Sequence, residues 1–168
     1  MRELQPLKMS GKEVLPLIEG GKGIAVSSGE SSGAWSNAGG IGTFSGVNAD
    51  SYDENGDLIP QEYKEKTRSG RHSELVKFSV KGAVNQAKIA RDIAGKNAVI
   101  HVNILWEMGA AETILTETLK QSKGLINGVT CGAGMPYKLS EISAAHNVYY
   151  YPIVSPARAF NALWKRSY

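Results

Sequence analysis

Cysteine is almost absent. Cys131 stands alone among 168 residues, so no internal disulfide forms and a disulfide-stapled secreted scaffold is excluded. Long apolar runs are missing too. Nothing approaches the roughly 20 residues of a membrane span, and the opening MRELQPLKMS lacks the apolar centre of a secretory signal. The expectation is a cytoplasmic protein with no membrane partner. Charge of one sign is weak: 19 Lys and Arg against 16 Asp and Glu give a net charge of +3. The basic residues are scattered along the sequence, without the stripe of a nucleic-acid binder, so no nucleic-acid partner is expected.

What is present is an ordinary globular composition, 42% hydrophobic and 21% charged, long enough for one domain that buries about two thirds of its unfolded surface. The pattern along the chain alternates. A short apolar run, Leu15-Pro16-Leu17-Ile18, leads into Glu19-Gly20-Gly21-Lys22-Gly23. Three glycines in five residues each cost roughly 0.5–1 kcal/mol of backbone entropy relative to alanine, so the chain either turns there or lets something approach its backbone closely. A short helix around Gly33–Ser36 and a second apolar strand, Gly39–Phe44, follow.

Residues 45–72 are polar and read as a surface insertion with a tight turn at Asn55-Gly56. Its DENGD stretch resembles a calcium loop only superficially. Gly56 is fourth from Asp53 rather than sixth, and Lys64 stands where the final glutamate belongs. No metal site is expected.

From Ser73 to Ala94, Leu75, Val76, Val80, Val84, Ala87, Ala90 and Ile93 recur at helical spacing, and Gly95 ends the run. Ala98–Leu105 is then a nearly continuous apolar strand, as parallel sheets require. Helix Glu107–Lys120, strand Leu125–Thr130, helix Tyr137–Ala145, strand Val148–Val154 and helix Pro156–Lys165 complete the alternation. About five strands alternating with helices mean a parallel α/β architecture, either a doubly wound sheet or a (β/α)8 barrel. In both, ligands bind where strands end. The ends here carry EGGKG, Gly42-Thr43, Asn103, Cys131-Gly132-Ala133-Gly134 and Val154-Ser155-Pro156.

Taken in order, PLIEGGKGIAVS, SNAGGIGTFSG, HVNIL, VTCGAGMPYKL and YYYPIVSPARAFNALWKRSY resemble the strand-end motifs of the flavin-dependent nitronate monooxygenases (2-nitropropane dioxygenases) and the related flavin-dependent enoyl-acyl carrier protein reductases. The resemblance runs from about Pro16 to the last residue. It implies the N-terminal part, about five of eight strands, of a single TIM-type barrel that binds FMN at the C-terminal mouth of its strands. A small-molecule substrate and oxygen would be its reaction partners. The cofactor residues it implies are Gly20, Gly21, Lys22 and Gly23 as a bare backbone shelf for the flavin ring, Asn103 as an amide at the ring or ribityl chain, and Gly132, Ala133 and Gly134 as another wall.

Glu19 and Lys22 replace the family's usual glutamine and methionine, placing a charge pair near the flavin. Beyond the last strand the family carries its phosphate loops and a Gly-Gly-His motif. His72, His101 and His146 have no such context, so no catalytic base is named, and His101, within an apolar strand, reads as a hydrogen-bonded core histidine. An arc of barrel exposes strand edges, which predicts either a homo-oligomer or pairing with a missing C-terminal half. Cys131 lines the flavin mouth or fills space, Asn103 competes as a cap for the helix at Glu107, and Trp35, Trp106 and Trp164 read as packing residues. Two further readings are a split-barrel binding module and a Rossmann domain built on Gly40-x-Gly42-x-x-x-Gly46.

Overall fold

A computed structural model describes residues 4–166; Ser167 and Tyr168, the end of the fifth resembling segment, lie outside them. Four parallel strands, β3 (Ile41–Ser45), β4 (Val99–Leu105), β5 (Gly128–Gly132) and β6 (Tyr149–Pro152), lie side by side in chain order. Each is followed by a helix: α2 (Arg68–Ala94), α3 (Ala111–Gln121), α4 (Leu139–Ala145) and α5 (Ala157–Trp164). A doubly wound sheet reverses its strand order at a switch point, whereas a barrel never does, so the unbroken β3-β4-β5-β6 order is an arc of barrel.

The expected first strand is only half realised. Residues 15–19 run parallel to β3 through Leu15 N–H to Gly39 O (2.8 Å), Ile41 N–H to Leu17 O (2.9 Å) and Glu19 N–H to Ile41 O (2.8 Å). They form a single bridge, Ile18 to Ile41. Leu17 and Ile18 are exposed rather than buried, because this segment is the edge of the arc, with no strand on its far side among the described residues. The chain before it holds an element the sequence reading missed, the antiparallel hairpin β1 (Leu7–Met9) and β2 (Lys12–Val14).

Strand alternation splits the sheet into two faces. Phe44, Ile100, Val102, Ile104, Val129 and Cys131 point outward into one core with Val80, Ala83, Ala87 and Ala90 of α2 and Ile114, Leu115 and Leu119 of α3. The inner face is polar: Thr43, His101, Asn103 and Thr130 lie on it, and all are buried. Two pieces of the N-terminal segment cover it. The hairpin closes the end where the strands start, and the Gly20–Gly23 loop closes the layer near where they finish.

Helix α1 (Gly29–Asn37), capped by Ser28 Oγ accepting from Ser31 N–H at 3.2 Å, packs closely on α2 through its glycines. A Cβ on Gly33 would lie 2.7 Å from Ile93 Cβ. Helix α2 is about 40 Å long at 1.5 Å per residue and begins at Arg68 rather than Ser73, because Thr67 Oγ1 accepts from Gly70 N–H at 3.0 Å and caps the extra turn. The insertion is correspondingly shorter than 45–72: Val47, Ala49 and Ser51 are buried. Its tip is the expected turn, with Gly56 at φ +84° and Asp53 Oδ1 accepting from Asn55 and Asp57 N–H. Among the described residues no helix is long and apolar enough to cross a membrane.

Candidate functional site

The ends of β3 and β4 meet the loop that follows residue 19: Ser45 N–H donates to Ser27 O at 2.8 Å and Ala25 N–H to Val47 O at 3.1 Å. Gly20, Gly21 and Gly23 all have φ outside the left-handed region, so a need for left-handed backbone does not explain them. Gly21 is explained by contact. A Cβ there would collide with Asn103 Cβ and stand 2.6 Å from its Cγ, so the loop backbone rests directly on the Asn103 side chain. Gly20 has nothing within 4 Å of a would-be Cβ, and Gly23 nothing closer than Leu105, Val47 and Ser45 at 3.8–4.0 Å. The protein itself leaves room for side chains at both.

Ser27 closes the loop, its Oγ accepting from Lys22 N–H (2.9 Å) and donating to Gly20 O (3.2 Å). The N–H groups of Gly20, Gly21 and Gly23 have no protein acceptor among the described residues. Lys22 is exposed and belongs to neither of the ion pairs formed among the described residues. Glu19 is turned the other way. It is buried, its carboxylate accepting from Ser31 Oγ (2.7 Å) and Thr43 N–H (3.1 Å). The expected Glu19–Lys22 charge pair therefore does not form, because the Glu19 carboxylate replaces the strand partner that Thr43 lacks at the sheet edge.

Asn103 is 3% exposed and accepts from Thr130 Oγ1 at 3.0 Å. It sits within β4 and caps no helix, since α3 starts at Ala111 after the left-handed Ala110 (φ 63°). Its place is beneath the loop, one layer below the mouth. The other wall is in register with it: Leu105 pairs with Gly132, and Trp106 and Glu107 N–H donate to Gly132 and Ala133 O at 2.8 and 3.0 Å. Ala133 (φ 53°) and Gly134 (φ 117°) then reverse the chain in left-handed geometry. A Cβ at Gly134 would come within 2.8 Å of Glu107 Cγ.

Cys131 points away from this mouth into the helix-side core, and burial pushes its thiol up to about 12; it fills space. His101 is fully buried below Asn103, its Nε2 2.7 Å from Ser10 Oγ and its ring stacked on Tyr151 at 4.9 Å. Burial lowers it to about 4, so it is neutral at pH 7, as a core histidine should be. Tyr151 OH also meets Ser10 Oγ (2.9 Å) and accepts from Ser10 N–H (3.1 Å). This polar plug under the hairpin was not visible in the sequence. Trp106 packs against the core as expected, whereas Trp35 and Trp164 are exposed, Trp164 stacking on Phe160. The Rossmann reading fails on contact: Gly40 backs onto Leu17 O (2.8 Å from a would-be Cβ), Gly42 onto Ser32 O and Gly46 onto Ile104 (2.7 Å), leaving no space for a pyrophosphate.

A cleft of about 710 Å³ continues from Ala133-Gly134 along the ends of β5 and β6 to α5. FabK from Thermotoga maritima superposes on 90% of this chain with a TM-score of 0.61 at 16% identity, and the match spans 37% of the FabK chain. That likeness establishes the fold as an arc of a TIM-type barrel. No protein-family model and no curated protein matches the sequence.

Proposed function

We propose that this chain carries the flavin-seating part of an FMN-dependent oxidoreductase of the nitronate monooxygenase kind, which oxidises nitronates or nitroalkanes with molecular oxygen. The observation that carries the reading is the pair Gly20 and Gly23. Neither has a left-handed φ, and a Cβ would meet nothing within 4 Å at Gly20 and nothing closer than 3.8 Å at Gly23, so the absence of side chains there serves something outside the chain. A flat ring on the loop would be held by the unpaired N–H groups of Gly20, Gly21 and Gly23 and by Lys22, with Gly132, Ala133 and Gly134 as its second wall. Bound FMN supplies an acceptor for two electrons.

The remaining residues position and exclude. Asn103, held by Thr130, keeps the loop at a fixed height. Glu19 ties it to α1 and β3. Neither His101, sealed and neutral, nor Cys131, which faces the helices, can serve as a base at the mouth. A substrate that arrives already deprotonated, as a nitronate does, needs no proton removed by either. The second reading, an enoyl-acyl carrier protein reductase, is favoured by the likeness to FabK, a flavin-dependent enzyme of that activity.

The test is a titration of the purified chain with FMN, followed by flavin fluorescence. Oxygen uptake with propane-2-nitronate is then compared with NAD(P)H-dependent reduction of crotonyl thioester. Absence of flavin binding refutes the reading for this chain. If flavin binds only after a complementary C-terminal half is added, a split barrel is supported, with the exposed Ile153 and Trp164 at the joint.

A further inference from the structure

The cleft beyond Gly134 has an unusual lining. Met135 from the β5–α4 loop, Ile153 and Val154 after β6, and Ala159 and Ala162 of α5 make apolar walls, and Arg158 is the sole charged side chain in it. No carboxylate lines it, and Arg158 joins neither ion pair formed among the described residues. A second cleft, about 500 Å³ between α3 and α4, is the opposite case: Glu112, Glu117 and Glu141 line it with Lys138, whose Nζ is 2.9 Å from Glu112. Its cation is already satisfied.

An unpaired guanidinium at the side of an apolar trough of ligand-sized volume is complementary to a molecule with one negative charge and a hydrocarbon body. The planar donor fork further favours a planar head with two oxygens, which it meets bidentately. We propose that this cleft is the substrate subsite and takes a straight-chain amphiphile with a planar, two-oxygen, singly negative head, a carboxylate or an alkyl nitronate, with Arg158 selecting the head and the Met135–Ala162 trough holding the chain. Describing the occupant as substrate rests on the oxidoreductase reading above; the binding itself does not.

Calorimetric titration with octanoate, octan-1-ol and acetate tests it. Octanoate binds about fivefold more tightly than octan-1-ol, the upper range for an exposed ion pair, and acetate gives no measurable heat. Arg158→Gln equalises octanoate and octan-1-ol without weakening the alcohol. Ala162→Phe, which narrows the trough, weakens both. Octanoate binding indifferent to Arg158→Gln and Ala162→Phe overturns the proposal, as does displacement of octanoate by FMN, which would assign the cleft to the flavin. Arginine-dependent octanoate binding by a chain that does not bind FMN upholds the cleft and removes the oxidoreductase reading. The nitronate of 1-nitrooctane separates the two head groups: equal affinity with oxygen uptake from the nitronate alone identifies the nitronate as substrate and the carboxylate as its mimic. Binding of octanoate with rejection of the nitronate overturns the shared-head assignment.

Discussion

Alanine placed at Gly20 and at Gly21 should act in opposite directions, although the two positions adjoin. At Gly20 a Cβ meets nothing within 4 Å and φ is outside the left-handed region, so the substitution chiefly restricts the unfolded chain and stabilises by about 0.4–1 kcal/mol. At Gly21 the same methyl collides with Asn103 and stands 2.6 Å from its Cγ. Either the loop lifts or Asn103 leaves its 3.0 Å bond with Thr130. Overpacking of this kind costs about 1–3 kcal/mol, and the displaced hydrogen bond adds about 1 kcal/mol. In a domain of this size each kcal/mol moves Tm by roughly 2–4 °C. Thermal unfolding should therefore show Gly20→Ala at or slightly above the unsubstituted protein and Gly21→Ala several degrees or more below it. FMN titration of the same proteins should rank them differently, with Gly20→Ala losing affinity while its fold is intact. If Gly20→Ala keeps its flavin affinity within twofold, the loop is not the ring's seat. A Gly21→Ala protein with unchanged Tm would show that the loop does not rest on Asn103.

Acid should weaken the fold through His101. Its folded value is depressed to about 4 from 6.5, so the stability it confers is complete above about pH 6.5 and is lost as pH falls towards 4, a span of about 3 kcal/mol; urea unfolding at pH 7, 5.5 and 4.5 should show the decline, and His101→Gln should flatten it. The Cys131 thiol, buried and raised to about 12, should ignore a disulfide-exchange reagent at pH 8 until denaturant is added, and prompt reaction in the folded protein would contradict its placement in the core. Glu19→Ala should cost about 1–3 kcal/mol in denaturant midpoints, the usual penalty for a buried donor left without an acceptor, here Thr43 N–H. Tyr151→Phe, which keeps the ring stack on His101 but removes both bonds to Ser10, should cost about 1–2 kcal/mol.

The alternation of apolar runs with helical periods was legible because each β/α unit is local: β4 and α2 declare themselves within their own windows. Boundaries slipped where a side chain rather than hydrophobicity set them, as when Thr67 extended α2 by five residues. The hairpin stayed hidden because LKM and KEV are too short and polar to carry a strand signal, and their pairing depends on Ser10 docking against His101, 91 positions away. The glycines of the first strand end were recognisable as a cluster. Their division of labour was not, since Gly20 and Gly21 look identical in sequence and differ only in what lies beneath them. Glu19 shows the same limit: beside Lys22 in the chain, it spends its charge on a backbone N–H 24 residues further on.

The layers stacked under the loop set how deep anything at the mouth can go. From the strand starts upward, Val14, Ile41 and Val99 form an apolar base, Ser10, His101 and Tyr151 a polar tier, and Asn103 with Gly21 a lid over both. A guest on this arc cannot be measured by depth, as in a well with a variable bottom. Length must be read sideways, along the rim from β5 to α5. Selectivity would then evolve by exchanging small residues on the rim helix, leaving the buried tiers untouched and the stability of the sheet uncoupled from the choice of guest.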